Sequence, residues 1–248
     1  MKKKLKRKIQ AMAEGGHKLA LIRQQLAAMV RPGVSLMEIE LQAQKWLLET
    51  GGQPAFQFVK DYKWATCINI NEGVVHGVPN NYRIQNGDLV SIDVGLFYQD
   101  YYTDTAITIV AGQMNETQQR LLETGKLALK QALAAVKPGN HVGHISQTIQ
   151  QVIEGAGYTV VKGLTGHGVG EGLHQPPNIP GFLIGDPKNS PILKLGQTLA
   201  VEIIYAIGGP DIVTEVDGWT ISTQDGKMSA LFEETVAVTE EGPLVLTE

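Results

Sequence analysis

The chain has 248 residues, 43% of them apolar and 19% charged, which suits a globular protein with a sizeable core. Its net charge of −4 gives no electrostatic basis for nucleic-acid recognition or for an anionic membrane surface. No run approaches the roughly 18 apolar residues of a membrane span, and the single cysteine, Cys67, excludes an internal disulfide and suits a reducing compartment.

The basic start, Met1 to Lys8, is interrupted downstream by Glu14, His17, Lys18 and Arg23, so it reads as a solvated helix start and not as a signal peptide. Residues 7–29 predict an amphipathic helix, weakened by Gly15 and Gly16. Ser35-Leu36-Met37-Glu38 fits a capping box. Leu36, Ile39, Ala43, Trp46 and Leu47 follow at helical spacing, and Gly51 suits the C-terminal cap. Helices at about 115–136 and 141–155 repeat this pattern, with Pro138-Gly139 between them. Segments 56–111 and 159–246 read as strands and turns. The class is α+β, an antiparallel sheet with helices packed on it.

A degenerate duplication underlies the repeat. Residues 28–51 align without a gap on 134–157: Ala28, Val30, Pro32, Gly33, Ile39, Gln44 and Gly51 meet Ala134, Val136, Pro138, Gly139, Ile145, Gln150 and Gly157. Further on, Ile84, Gly87, Val90, Ile92 and Asp93 match Leu193, Gly196, Leu199, Val201 and Glu202. Two pseudo-symmetric halves are expected, about 8–115 and 116–246, within one domain over 1–248. Asp93 and Glu202 then fall at equivalent places.

Asp93 and Asp104 each interrupt a β-branched run, Leu89-Val90-Ser91-Ile92-Asp93-Val94 and Thr103-Asp104-Thr105-Ala106-Ile107. A turn near Tyr98, Gln99 and Asp100 makes them direct cross-strand neighbours, with β-carbons about 5 Å apart. Two carboxylates so close repel unless one is protonated or a divalent cation lies between them. The stretch Gly166-His167-Gly168-Val169-Gly170-Glu171-Gly172-Leu173-His174 is too rich in glycine for a helix, and it frees both imidazoles to face a cavity. His76 stands at a strand end before Gly77-Val78-Pro79. His17, His141 and His144 lie on or at the ends of predicted helices and read as structural.

The order and spacing of His76, Asp93, Asp104, His167, His174, Glu202 and Glu233 resemble a type I methionine aminopeptidase of the pita-bread fold. The segments Ile70-Asn71-Glu72-Gly73-Val74-Val75-His76-Gly77-Val78-Pro79, Ser91-Ile92-Asp93-Val94-Gly95 and Gly166-His167-Gly168-Val169-Gly170 carry the likeness, which runs from about Lys8 to Leu246. The resemblance implies a metal-dependent hydrolase that removes the initiator methionine. Asp93, Asp104, His167, Glu202 and Glu233 would be its metal ligands, with Asp104 and Glu233 bridging two divalent ions (Co²⁺, Mn²⁺, Fe²⁺ or Zn²⁺). His174 would face the carbonyl oxygen, His76 the scissile nitrogen, and Glu202 would also move the proton of the attacking water.

The same resemblance puts Tyr62, Cys67, Leu173 and Trp219, with Phe56 close by, in the side-chain pocket. It also marks three departures. Leu173 stands where a larger aromatic is frequent, Gln175 where glutamate is common, and Ile203 where proline is common. The implied partners are peptide and nascent-protein N-termini, with the ribosome as a further candidate, in a cytoplasmic monomer with no membrane or nucleic-acid partner. Two alternatives stand beside this reading: a hydrolase of the Xaa-Pro aminopeptidase or prolidase type, which usually carries an extra N-terminal domain, and a non-catalytic binding protein of the same fold.

Overall fold

A computed structural model describes residues 2–248 of the chain. Helices α1 (Lys2–Met29) and α2 (Leu36–Glu49) precede the short strand β1 (Gln53–Pro54), then β2 (Thr66–Ile70), β3 (Gly73–Val75), β4 (Leu89–Tyr98) and β5 (Tyr101–Val110). Helices α3 (Glu116–Ala134) and α4 (Val142–Gly155) open the second half. It continues with β6 (Thr159–Val160), β7 (Thr165–Gly168), β8 (Gln175–Pro180), β9 (Thr198–Ala206), β10 (Ile212–Thr214), β11 (Ile221–Thr223), β12 (Ser229–Thr239) and β13 (Gly242–Val245).

The expected capping box is formed: Ser35 Oγ accepts from the Glu38 amide, and Glu38 accepts from the Ser35 amide. Gly51 takes the left-handed conformation just past α2. Helix α1 begins earlier than its apolar periodicity indicates, because the basic start is itself helical. Gly16 is tolerated in its middle for a packing reason: a β-carbon there would lie 2.2 Å from the carbonyl oxygen of Leu246.

The ten-stranded sheet runs β1-β4-β5-β12-β9-β7-β8, with β2 also on β4, β13 on β12 and β6 on β9. Alternate residues of its central strands face the helices. Val90, Ile92, Val94 and Leu96 of β4 pack with Leu19, Ile22 and Leu26 of α1 and with Ile39, Ala43 and Leu47 of α2. Leu199, Val201, Ile203 and Tyr205 of β9 pack with Leu121 and Ala128 of α3 and with Ile145 and Ile149 of α4. Ile203, where the resemblance leads one to look for proline, is thus a fully buried core residue facing away from Glu202.

The remaining residues of β4 and β9, Asp93 and Glu202 among them, are left for the opposite face. A second sheet, β10-β11-β3, packs there through Val74, Val75, Ala106, Ile204 and Leu231.

One expectation about register fails. The β4–β5 turn is centred on Gln99 and Asp100, both with positive φ (48° and 71°), and Tyr98 pairs with Tyr101. Left-handed conformations at both central positions match the twist of a two-residue hairpin. Asp93 therefore opposes Ala106 and Asp104 opposes Gly95, so the aspartates are diagonal rather than direct neighbours. A shift of two residues preserves the face, and both carboxylates still point to the same side of the sheet.

Candidate metal centre and its cavity

Pairing across the central strands places the acidic residues in a row. Cys67 of β2 pairs with Asp93 of β4, Asp93 with Ala106 of β5, Ala106 with Glu233 of β12, and Glu233 with Glu202 of β9. The adjacent row on the same face holds Gly95 opposite Asp104 and, across β12, Thr235 opposite Ala200 and Ala200 opposite His167 of β7. Backbone pairing of β5 with β12 is limited to Ala106–Glu233 and Thr105–Glu234. Beyond it the Thr235 hydroxyl bridges the strands, accepting from the Asp104 amide (2.9 Å) and donating to the Asp104 carbonyl (2.7 Å). Gly95 gives Asp104 room, since a β-carbon there would lie 2.8 Å from Ala55 Cβ and 3.3 Å from Asp104 Oδ1.

The resulting cluster is crowded and nearly dry. Asp104, His167 and Glu233 are 3%, 6% and 2% exposed, and each offers a ligand atom within 4.8 Å of the others'. His167 Nε2 lies 3.3 Å from Glu202 Oε1. His167 Nδ1 lies 2.9 Å from the Gly168 carbonyl and donates to it, which leaves the Nε2 lone pair for the cluster.

Burial and the charge of Glu202 push Asp93 up to about 8. Burial and facing carboxylates hold Asp104 and Glu233 far above the usual carboxylate range. Burial also pulls the His167 imidazole down, but the contact with Glu202 and its charge, together with the Gly168 carbonyl and Asp93, outweigh this and raise it. Asp93 Oδ1 and Glu233 Oε1 are buried without a hydrogen-bond partner among the described residues. Among the described residues, no lysine or arginine lines the cavity beside them. Acceptor oxygens converging without a donor fit a hard or borderline divalent cation and are costly without one.

That cavity has a volume of about 150 Å³ and is polar on one side only. His167 and His174 stand edge to face at 4.4 Å between ring centres. Desolvation and the neighbouring imidazoles hold His174 below its ordinary value. Desolvation likewise lowers His76, against the opposing charge of Glu202. His76 reaches the cavity from a left-handed backbone (φ 57°) at the end of β3. Gln175 stitches the glycine loop between the two histidines: its Oε1 accepts from the Gly172 amide (3.2 Å) and its Nε2 donates to the Val169 carbonyl (3.4 Å).

The apolar side is formed by Phe56, Val59, Tyr62, Cys67, Val75 and Trp219. Leu173 packs into the same cluster as Phe56, Tyr62 and Cys67, with Trp219 against it. Val59 and Val75 line the cavity and carry no sequence signal that separates them from ordinary core. The three other histidines are structural: His17 meets the Glu248 backbone, His141 the Ser190 carbonyl, and His144 accepts from the His141 amide.

The chain matches the model of metallopeptidase family M24 over residues 8–240. It is 39% identical to the methionine aminopeptidase of Aquifex aeolicus, covering 98% of this chain and 96% of that protein. It is 36% identical to methionine aminopeptidase 1 of Bacillus subtilis, covering 98% of each. The crystal structure of methionine aminopeptidase from Thermotoga maritima superposes with a TM-score of 0.94 at 36% identity, over 97% of this chain and 96% of that one. Prolidase from Pyrococcus furiosus superposes with a TM-score of 0.79 at 26% identity, and this chain spans only 64% of it. With its pita-bread fold, the chain belongs to the methionine aminopeptidases of metallopeptidase family M24.

Proposed function

We propose that this protein hydrolyses the N-terminal methionine from peptides and nascent proteins, with Asp93, Asp104, His167, Glu202 and Glu233 holding two divalent cations. The observation that carries the reading is the convergence of these side chains on one sheet face beside an apolar cavity of side-chain size. Asp104 and Glu233, innermost in the cluster, would be shared between the ions. Asp93 would complete one set, and His167 with Glu202 the other. Such a donor set suits Mn²⁺, Fe²⁺, Co²⁺ or Zn²⁺. When bound, the ions supply Lewis-acid polarisation of the scissile carbonyl and acidify a water.

The chain's own groups do the rest. The apolar wall of Phe56, Tyr62, Cys67 and Trp219 receives the methionine side chain, whose flexible thioether adapts to such surfaces. A Glu202 carboxylate oxygen takes the proton of the attacking water and passes it to the departing amine nitrogen as the C–N bond breaks. His174, kept neutral, has one ring N–H to donate to the developing oxyanion, and His76 faces the departing nitrogen.

The whole chain works as one catalytic unit of two halves, about 8–115 and 116–246, joined where β5 meets β12. A monomer suffices, because one chain supplies every group named. Action on nascent chains brings the protein to the ribosome in the cytoplasm, and the buried, free thiol of Cys67 is compatible with that setting. No described helix is long and apolar enough to cross a membrane.

The test is turnover of Met-Ala-Ser against Xaa-Pro peptides, with Mn²⁺, Fe²⁺, Co²⁺ or Zn²⁺ added before and after chelation. Metal-dependent release of methionine is expected. Preferential cleavage of Xaa-Pro bonds would move the chain to the prolidase type, and no turnover with any metal would leave a binding protein.

A further inference from the structure

A carboxylate outside the cavity remains unexplained by the chemistry above. Glu40 lies in the core-facing stripe of α2, between Ile39 and Ala43, and is 1% exposed. Its partners are all neutral. Oε1 accepts from the Ala65 amide (2.7 Å) and the Gln44 side chain (3.4 Å). Oε2 accepts from both the amide (3.0 Å) and the hydroxyl (2.6 Å) of Thr66. Burial raises the carboxyl above its ordinary value, and these donors oppose the shift. A buried acid facing no cation is a costly way to fasten a helix to a strand. What it fastens explains its presence.

Ala65 and Thr66 lead into β2, which carries Cys67. The Tyr62 hydroxyl donates to the Thr66 carbonyl (2.8 Å) and lies 3.2 Å from Cys67 Sγ. The Tyr62 ring in turn sits edge-on against Trp219 at 5.1 Å and Trp64 at 5.2 Å between ring centres. Glu40 thus holds the amides of two successive peptide units, and the carbonyl of the next unit receives the Tyr62 hydroxyl. Tyr62, Cys67 and Trp219 are the apolar wall opposite the histidines, whereas Glu40 touches neither the cavity nor the acidic cluster.

We infer that Glu40 is a positioning residue for specificity: by holding residues 62–67 it sets the width of the side-chain cavity, and thereby which N-terminal residue is accepted. This rests on the proposal that the cavity receives the substrate's first side chain. A glutamine at 40 keeps the shape but turns an amide N–H₂ toward the donors of Ala65 or Thr66, so at least one bond is lost and the wall relaxes outward. Because a pocket discriminates by about tenfold or more per methylene, a small relaxation is visible in selectivity well before it is visible in the chemistry.

The experiment compares the metal-loaded wild type with Glu40→Gln on Xaa-Ala-Ser peptides in which Xaa is Met, norleucine, Leu or Phe. Metal content and kcat and KM are measured for each. Expected are unchanged metal content, a raised KM for Met-Ala-Ser with kcat nearly kept, and a fall of about tenfold in the Met-over-Leu ratio of kcat/KM. Thr66→Val removes only the hydroxyl donor, so it serves if Glu40→Gln does not fold, and its ratio should move in the same direction by less. A ratio equal to that of the wild type in a folded variant, or one common factor for all four peptides, would overturn the inference. A wild type that does not discriminate among the four refutes the proposed cavity itself, a separate outcome read before any variant.

Discussion

Removing the metal should make stability fall as pH rises, against the usual behaviour of a protein near neutrality. Asp93 is pushed up to about 8 from an ordinary 3.8, and Asp104 and Glu233 are raised in the same direction, each by burial first. A carboxyl that holds its proton more tightly when folded contributes stability fully below its unfolded pKa. That contribution is lost as pH rises through the folded value. His167, also raised, acts with the same sign. His174 and His76 are lowered, so their contributions are present above about 6.5 and are lost as pH falls.

The clearest window is therefore about pH 6.5 to 8, above the ordinary value of those two imidazoles, so that they become mostly neutral in both states across it. Each carboxyl that stays protonated across it removes about 1.4 kcal/mol per pH unit, or roughly 2 kcal/mol for one group. In urea titrations, with a slope of about 1–3 kcal/mol per molar, the midpoint of the chelated protein should drop by about 1 M or more over the window. Saturating Mn²⁺ should abolish the drop, because the cation takes the place of the protons. A chelated protein whose midpoint is flat or rises from pH 6.5 to 8 would refute the claim that these carboxyls face one another unpaired.

Five substitutions probe separate parts of the site and its frame. Asp104→Asn should abolish metal binding by elemental analysis, whereas His174→Ala and His76→Ala should keep the metal and lower kcat by about 10²–10³-fold. Metal loss in both histidine variants would make them ligands. Thr235→Val strands the Asp104 amide and carbonyl where β5 and β12 part, and should cost about 1–3 kcal/mol in urea unfolding. A neutral result would show that water replaces the hydroxyl. Gly16→Ala sets a β-carbon against the Leu246 carbonyl and should destabilise by about 1–3 kcal/mol, which a Tm equal to the wild type's would contradict.

Features fixed by near neighbours in the chain were legible in its sequence. Ser35 and Glu38 announce their capping box three residues apart, and Asp93 and Asp104 stand out as carboxylates in β-branched runs. Register was less legible, because it depends on which two residues take the left-handed turn. Gln99 and Asp100 do so with no glycine to mark the place, and the aspartates move from direct to diagonal neighbours. Leu173 is set in the wall by the resemblance and packs in one apolar cluster with Phe56, Tyr62 and Cys67, while Val59 and Val75 line the cavity with nothing in the sequence to mark them. Apolar residues in core and cavity look alike until the chain is folded. Glu40 reads as one more polar helix residue, since nothing near it in sequence indicates that the amides of Ala65 and Thr66 will meet it.

The cluster itself is open to one decisive measurement, anomalous scattering from a crystal soaked in Mn²⁺. Two peaks are expected, both among Asp93, Asp104, His167, Glu202 and Glu233, with Asp104 and Glu233 touching both. Manganese bound elsewhere, or no density within this group at a Mn²⁺ concentration that supports turnover, would contradict the proposed centre.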